Sequence, residues 1–161
     1  MDWALSVHPY NAPLYDPYSW KQQSQYVNTT VKSPYITMEN IYVLTDYMCQ
    51  ASFLNPSGAV RQISLSEIGY TSSFGEEAQA ASITYAYTMA ENNPYITSFI
   101  LFRERDDAHE MESNIAQGLK NLGTANAAPY KAQASSIIGQ DVDALVTTRT
   151  FLSRKGWFLN D

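Results

Sequence analysis

The stretch VRQISLSEIGYTSSFGEE, residues 60–77, decides how the rest of the chain is read. Val60 to Ser66 has the character of a strand, and Ile63, Leu65 and Glu67 share one face at period two. Glu67 is therefore a lone carboxylate at the end of an apolar row, just before Gly69 breaks the strand. Ser73-x-x-Glu76 then has the spacing of a capping box. It predicts a helix whose buried stripe is Ala80, Ile83, Tyr87 and Ala90. A strand feeding a helix is one βα unit.

Upstream, WALSVHPY (residues 3–10) alternates, with Trp3, Leu5 and Val7 on one face and Ala4, Ser6, His8 and Tyr10 on the other. Pro9 and Pro13 end it. Residues 11–34 are rich in Asn, Pro, Tyr, Ser and Gln without a clean period and predict a long loop. Thr37 is a candidate N-cap for a helix carrying Ile41, Leu44, Met48 and Ala51, which Asn55-Pro56-Ser57-Gly58 stops. Downstream, Asn92-Asn93-Pro94 closes the second helix, and ITSFILFR (96–103) is the most apolar strand. A polar excursion follows at 104–123, then a weaker helix over 130–138 and a tail with no assigned place. Alternating strands and helices predict an α/β fold with a parallel sheet.

A chain of 161 residues, 45% apolar and 16% charged, is long enough for one domain with a core. Its net charge of −6 argues against nucleic acid or an anionic membrane surface as a partner. No apolar run approaches the length of a membrane span, and the first ten residues lack the basic and apolar regions of a signal peptide. The compartment is thus left open. Cys49 is the only cysteine, which forbids an intrachain disulfide, and its helical pattern predicts a buried small hydrophobe.

In parallel α/β sheets, chemistry gathers at the carboxyl ends of the strands. Those ends carry His8 and Tyr10, then Glu67 and Tyr70, then Arg103, Glu104, Arg105 and Asp106. Glu67 either opens into a cleft or is paired by Arg103 or Arg105 in a structural ion pair, the commoner role of such a residue. His8 is either a hydrogen-bonded core histidine or a ligand-binding one. The tyrosines at 10, 15, 18, 26 and 35 are packing residues by default, although such rings also stack on sugar faces. No metal or cofactor is expected: His8 and His109 are far apart, and Asp106, Asp107, His109 and Glu110 follow no established ligand spacing. Neither a Gly-x-Ser-x-Gly elbow nor a glycine-rich phosphate loop is present.

The segments WALSVHPYNAPLYDPYSW, ITMENIYVLTDYM, RQISLSEIGYTS, EEAQAASITYAYTMAENNPYITSFILFRERDD and GLKNLG resemble, in order and spacing, the C-terminal part of a glycoside-hydrolase-like (β/α)8 (TIM) barrel. The likeness is to a largely uncharacterised bacterial family near the clan of retaining glycosidases. It implies that residues 1–140 are roughly the last three βα units of such a barrel, a partial barrel, with 141–161 a tail packed on it or unassigned. It also implies hydrolysis of glycosidic bonds with retention, Glu67 as the nucleophile, and a carbohydrate substrate contacted by His8, Tyr10, Tyr70, Arg103, Glu104 and Asp106. Secretion accords with the resemblance.

A retaining enzyme needs a second carboxyl group about 5–5.5 Å from the nucleophile. In the clan that group lies on the fourth strand, so the acid/base is expected from outside this chain, or less readily from Glu104 or Asp106. A whole barrel takes about 250 residues, so the chain is expected to be a fragment, or to pair with the missing barrel half. A non-catalytic carbohydrate-binding or degenerate barrel module is the alternative, as is a structural half-barrel that homodimerises to cover its open sheet edges.

Overall fold

The computed structural model describes residues 2–21 and 24–122, together with the backbone of Leu159–Asn160. The strands are β1 (Leu5–Val7), β2 (Ile63–Ile68), β3 (Ile96–Phe102) and the short β4 (Leu159–Asn160), and the helices are α1 (Ile41–Met48), α2 (Glu76–Glu91) and α3 (Ala108–Met111). The strands form one sheet in the order β1-β2-β3-β4, and every pairing is parallel. The fold is α/β, with β1 joined to β2 and β2 to β3 by crossovers that carry α1 and α2, as parallel connections demand. The helix expected over 130–138, and the tail apart from β4, lie outside the described residues.

Apolar periodicity explains the packing. Ile63, Leu65, Ile68, Ile96 and Phe99 turn one face of the sheet toward Met38, Ile41, Met48, Ile83, Ala86 and Ala90 in one buried cluster. Sequestering that surface, at about 25 cal/mol per Å², is what stabilises the crossovers on the sheet. The opposite face carries small hydroxyls: Ser6 and Ser66 Oγ atoms are 2.5 Å apart, and Ser64 bonds Ser98.

Several local expectations shift. Thr37 does cap a turn, but a single 3-10 turn (Met38–Asn40) precedes α1. Gly75, with φ of 120°, and not Ser73 is the residue before α2, so the capping box does not form. Ser73 instead donates its backbone N–H to Thr71 Oγ1 at 3.1 Å. Tyr87 and Ala80 are only partly buried, while Gln79 and Ser82 are buried in their place. Both hold buried backbone: Gln79 Nε2 donates to the carbonyls of Tyr70 and Gly118, while Ser82 Oγ accepts from Ser19 N and donates to the Pro17 carbonyl, and the Ser82 carbonyl accepts from Ser19 Oγ. Cys49 is exposed rather than buried, because α1 ends at Met48 and the chain turns away there.

The long loop is not loose coil. Asn40 is buried, and its Nδ2 reaches the carbonyls of Asn28 (2.8 Å) and Tyr35 (3.1 Å) and Ser33 Oγ (3.0 Å), while its Oδ1 accepts from Thr37 N. One amide therefore fastens the far end of the loop to the start of α1. The Ala12–Pro13 and Phe102–Arg103 peptides are cis.

Candidate functional site

The position of Glu67 follows from an irregularity in β2. Leu65 pairs with Phe99 and Ile68 with Leu101, so β2 uses one more residue than β3 between these points. An extra residue is a β-bulge, which re-aims the side chains beside it. A regular strand would have kept Glu67 on the face of Ile63 and Leu65. The bulge gives that inward place to Ile68, wholly buried, and leaves Glu67 a third exposed. Gly69 follows because a Cβ there would lie 2.2 Å from the Phe102 carbonyl oxygen. Its role is close approach of two backbones rather than strand breaking.

At the end of β1 the extended chain projects His8 and Tyr10 toward the same carboxylate. Tyr10 Oη donates to Glu67 Oε1 at 2.8 Å, and His8 Nδ1 lies 3.9 Å from that oxygen. The His8 and Tyr10 rings stand edge to face with centroids 6.5 Å apart. Burial first, then the hydrogen bond and charge of Glu67, push the Tyr10 phenol far above its ordinary value. Tyr10 therefore stays a hydrogen-bond donor across the physiological range. Among the described residues no arginine or lysine pairs with Glu67, so the structural ion pair weighed from sequence is not formed.

The remaining candidates divide. Arg103 lies 3.1 Å from Glu110 Oε2 and 3.6 Å from Asp107 Oδ2, with its guanidinium 5.0 Å from the Phe102 ring. It remains within electrostatic reach of Tyr10, where it opposes the effect of Glu110. Glu104 is paired with Lys120. Asp106 is buried, and its Oδ1 accepts from Gly118 N at 2.8 Å, holding the returning chain against β3. Gly118 is needed there because a Cβ would stand 2.1 Å from Asp106 N. Tyr70 is wholly buried among core residues, with Ser19 beside its hydroxyl; burial pushes its phenol well above the ordinary value. The structure thus brings together Glu67, Tyr10 and His8, places Arg103 at the margin, and engages Glu104, Asp106 and Tyr70 elsewhere.

Glu110 was not among the residues expected at the site. Its signal was in the sequence: Asp107 caps α3, accepting from His109 N and Glu110 N, and that spacing turns Glu110 back toward Arg103. A cavity of about 330 Å³ lies beside Tyr10, lined also by His8, Asn11, Pro13, Leu14 and Tyr35. Among the described residues no cluster of three or more His, Cys, Asp or Glu is placed to hold a metal ion. No described helix is long and apolar enough to cross a membrane.

Comparison with known proteins places these features in a family. No curated protein and no solved structure matches the chain. Residues 1–143, most of its length, match the family of unknown function DUF5722, and the chain belongs to that family.

Proposed function

We propose that this chain is part of a retaining glycoside hydrolase, with Glu67 as the nucleophile and the sheet forming roughly the last three βα units of a (β/α)8 barrel. The observation that carries the reading is the 2.8 Å hydrogen bond from Tyr10 to Glu67 across the carboxyl ends of two adjacent parallel strands. A nucleophilic carboxylate must stay ionised, accessible and correctly turned. A neutral donor that does not lose its proton fixes the rotamer without cancelling the charge, as an arginine would. The parallel strand order, helices on one face and small serines on the other also suit a barrel wall.

In this reading Glu67 attacks the anomeric carbon and a covalent glycosyl-enzyme forms. The acid/base that protonates the leaving oxygen comes from outside this chain. Glu104 and Asp106 are poor sources, being held by Lys120 and by Gly118 N.

The test is made on the full-length protein carrying these residues. Glu67→Gln should abolish hydrolysis of activated aryl glycosides while leaving the fold intact. A 2-deoxy-2-fluoro glycoside should add one sugar mass to the peptide containing Glu67. Undiminished turnover in Glu67→Gln overturns the assignment.

One observation favours a second reading, a carbohydrate-binding module without hydrolysis. The carboxylates at the end of β3 are engaged by cations or backbone, which leaves Glu67 as a hydrogen-bonding group without a catalytic companion among the described residues. Glycan binding without release of product from any aryl glycoside would support it.

A further inference from the structure

We propose that the cavity beside Tyr10 is a second sugar subsite, so that the ligand is a neutral oligosaccharide of at least two units rather than a simple glycoside. This rests on the carbohydrate reading above and extends it to residues of the long loop. The cavity, about 330 Å³, lies at the small end of the range for ligand pockets, a size suited to one ring. His8 and Tyr10 line it and also face Glu67, so the cavity adjoins the carboxylate through these two side chains.

The lining selects the chemistry. None of the described residues lining the cavity is Asp, Glu, Lys or Arg, so a neutral ligand suits it better than a phosphate, a uronate or an amine. Tyr35 is half exposed, and its ring is braced edge to face by Tyr26 with centroids 5.6 Å apart. A braced, exposed tyrosine offers a flat apolar face and a polar rim, the pairing that suits the C–H face and hydroxyls of a sugar. Asn11 is buried in the same wall, anchored by a 2.6 Å bond from Nδ2 to the Asp16 carbonyl; its Oδ1 is buried with no hydrogen-bond partner among the described residues. Pro13 and Leu14 close the side with apolar surface.

Calorimetric titration of full-length Glu67→Gln protein, which cannot turn the ligand over, provides the test. Gluco-, manno-, xylo- and galacto-oligosaccharides of one to four units serve as probes. In the series that binds, affinity should rise by roughly tenfold from one unit to the longer members, the worth of one aromatic contact. Tyr35→Ala should remove that rise and leave single-unit binding unchanged, whereas Tyr35→Phe should keep it. A rise with length that survives Tyr35→Ala overturns this subsite and leaves the carbohydrate reading standing. If no saccharide binds and the wild-type protein hydrolyses no aryl glycoside, both fall together.

Discussion

The carboxyl ends of β2 and β3 hold similar residue types yet differ in what surrounds them. At β2 a single carboxylate, Glu67, meets only a tyrosine hydroxyl and an imidazole among the described residues. At β3 three charges are met by an opposite charge or a backbone donor: Arg103 by Glu110 and Asp107, Glu104 by Lys120, Asp106 by Gly118 N. Position at a strand end therefore does not make a group chemically available. A partly exposed carboxylate met by a neutral hydroxyl keeps its charge uncompensated, while one matched by a guanidinium or ammonium, or buried against a backbone N–H as Asp106 is, is engaged in the fold.

That contrast breaks first at the proposed nucleophile. Glu67→Gln should lower turnover by about 10⁴-fold in a steady-state assay, as removal of other nucleophilic side chains does, whereas Glu104→Gln should leave turnover near wild type. Equal losses would erase the distinction between the two ends. Next comes the backbone contact behind β3. In Gly118→Ala the new methyl would collide with the Arg105 and Asp106 backbone at 2.1–2.8 Å. Rigid backbone does not yield, so a loss of about 4 kcal/mol is expected. At this chain length that is a melting temperature lower by on the order of 10 °C in a calorimetric scan.

Tyr10→Phe is gentler on the fold and more telling for the site. A hydrogen bond to a charged group is worth roughly 1.5–3 kcal/mol, so turnover should fall about 10- to 100-fold while the melting temperature moves little. A variant with full activity would remove Tyr10 from the site.

The smallest effect is in pH, and the two ends respond at opposite extremes. The folded protein raises Tyr10 well above the value it has unfolded, chiefly through burial. Its contribution to stability is complete below about pH 10 and is lost as pH climbs from there through the folded value. The wild type should accordingly lose urea resistance between pH 10 and 12 more steeply than Tyr10→Phe does. Asp107 shifts the other way: the backbone N–H groups of Glu110 and His109 hold its carboxyl below the ordinary 3.8. Its contribution is present above that value and fades as pH falls through the folded one. Acid should loosen the β3 end, and alkali the Glu67 end.

Much of this was legible in the residues. Period-two runs and turn residues located β1, β2 and β3, and the alternation with helices gave the parallel sheet. His8, Tyr10 and Glu67 converge because strand ends in a parallel sheet converge. The face of Glu67 was not legible. It depends on a one-residue mismatch between β2 and β3, and nothing in the pattern of either strand alone encodes a difference in register. The roles of Asp106 and Glu104 were hidden for a related reason. Their partners, Gly118 and Lys120, lie 12 and 16 residues further along the chain, in a polar segment with no period to say where it returns. Cys49 failed at a boundary, since a helix one turn longer would have carried it inside.

The amide of Asn40 has a consequence for recognition. By gripping the carbonyls of Asn28 and Tyr35 and the hydroxyl of Ser33 together, it ties down residues on both sides of a turn that would otherwise wander. The backbone that carries Tyr35 is thereby fixed, and its ring rests edge to face against Tyr26. An incoming molecule then meets a surface that has no ordering left to do, and the entropy of arranging that segment is subtracted from stability rather than from affinity.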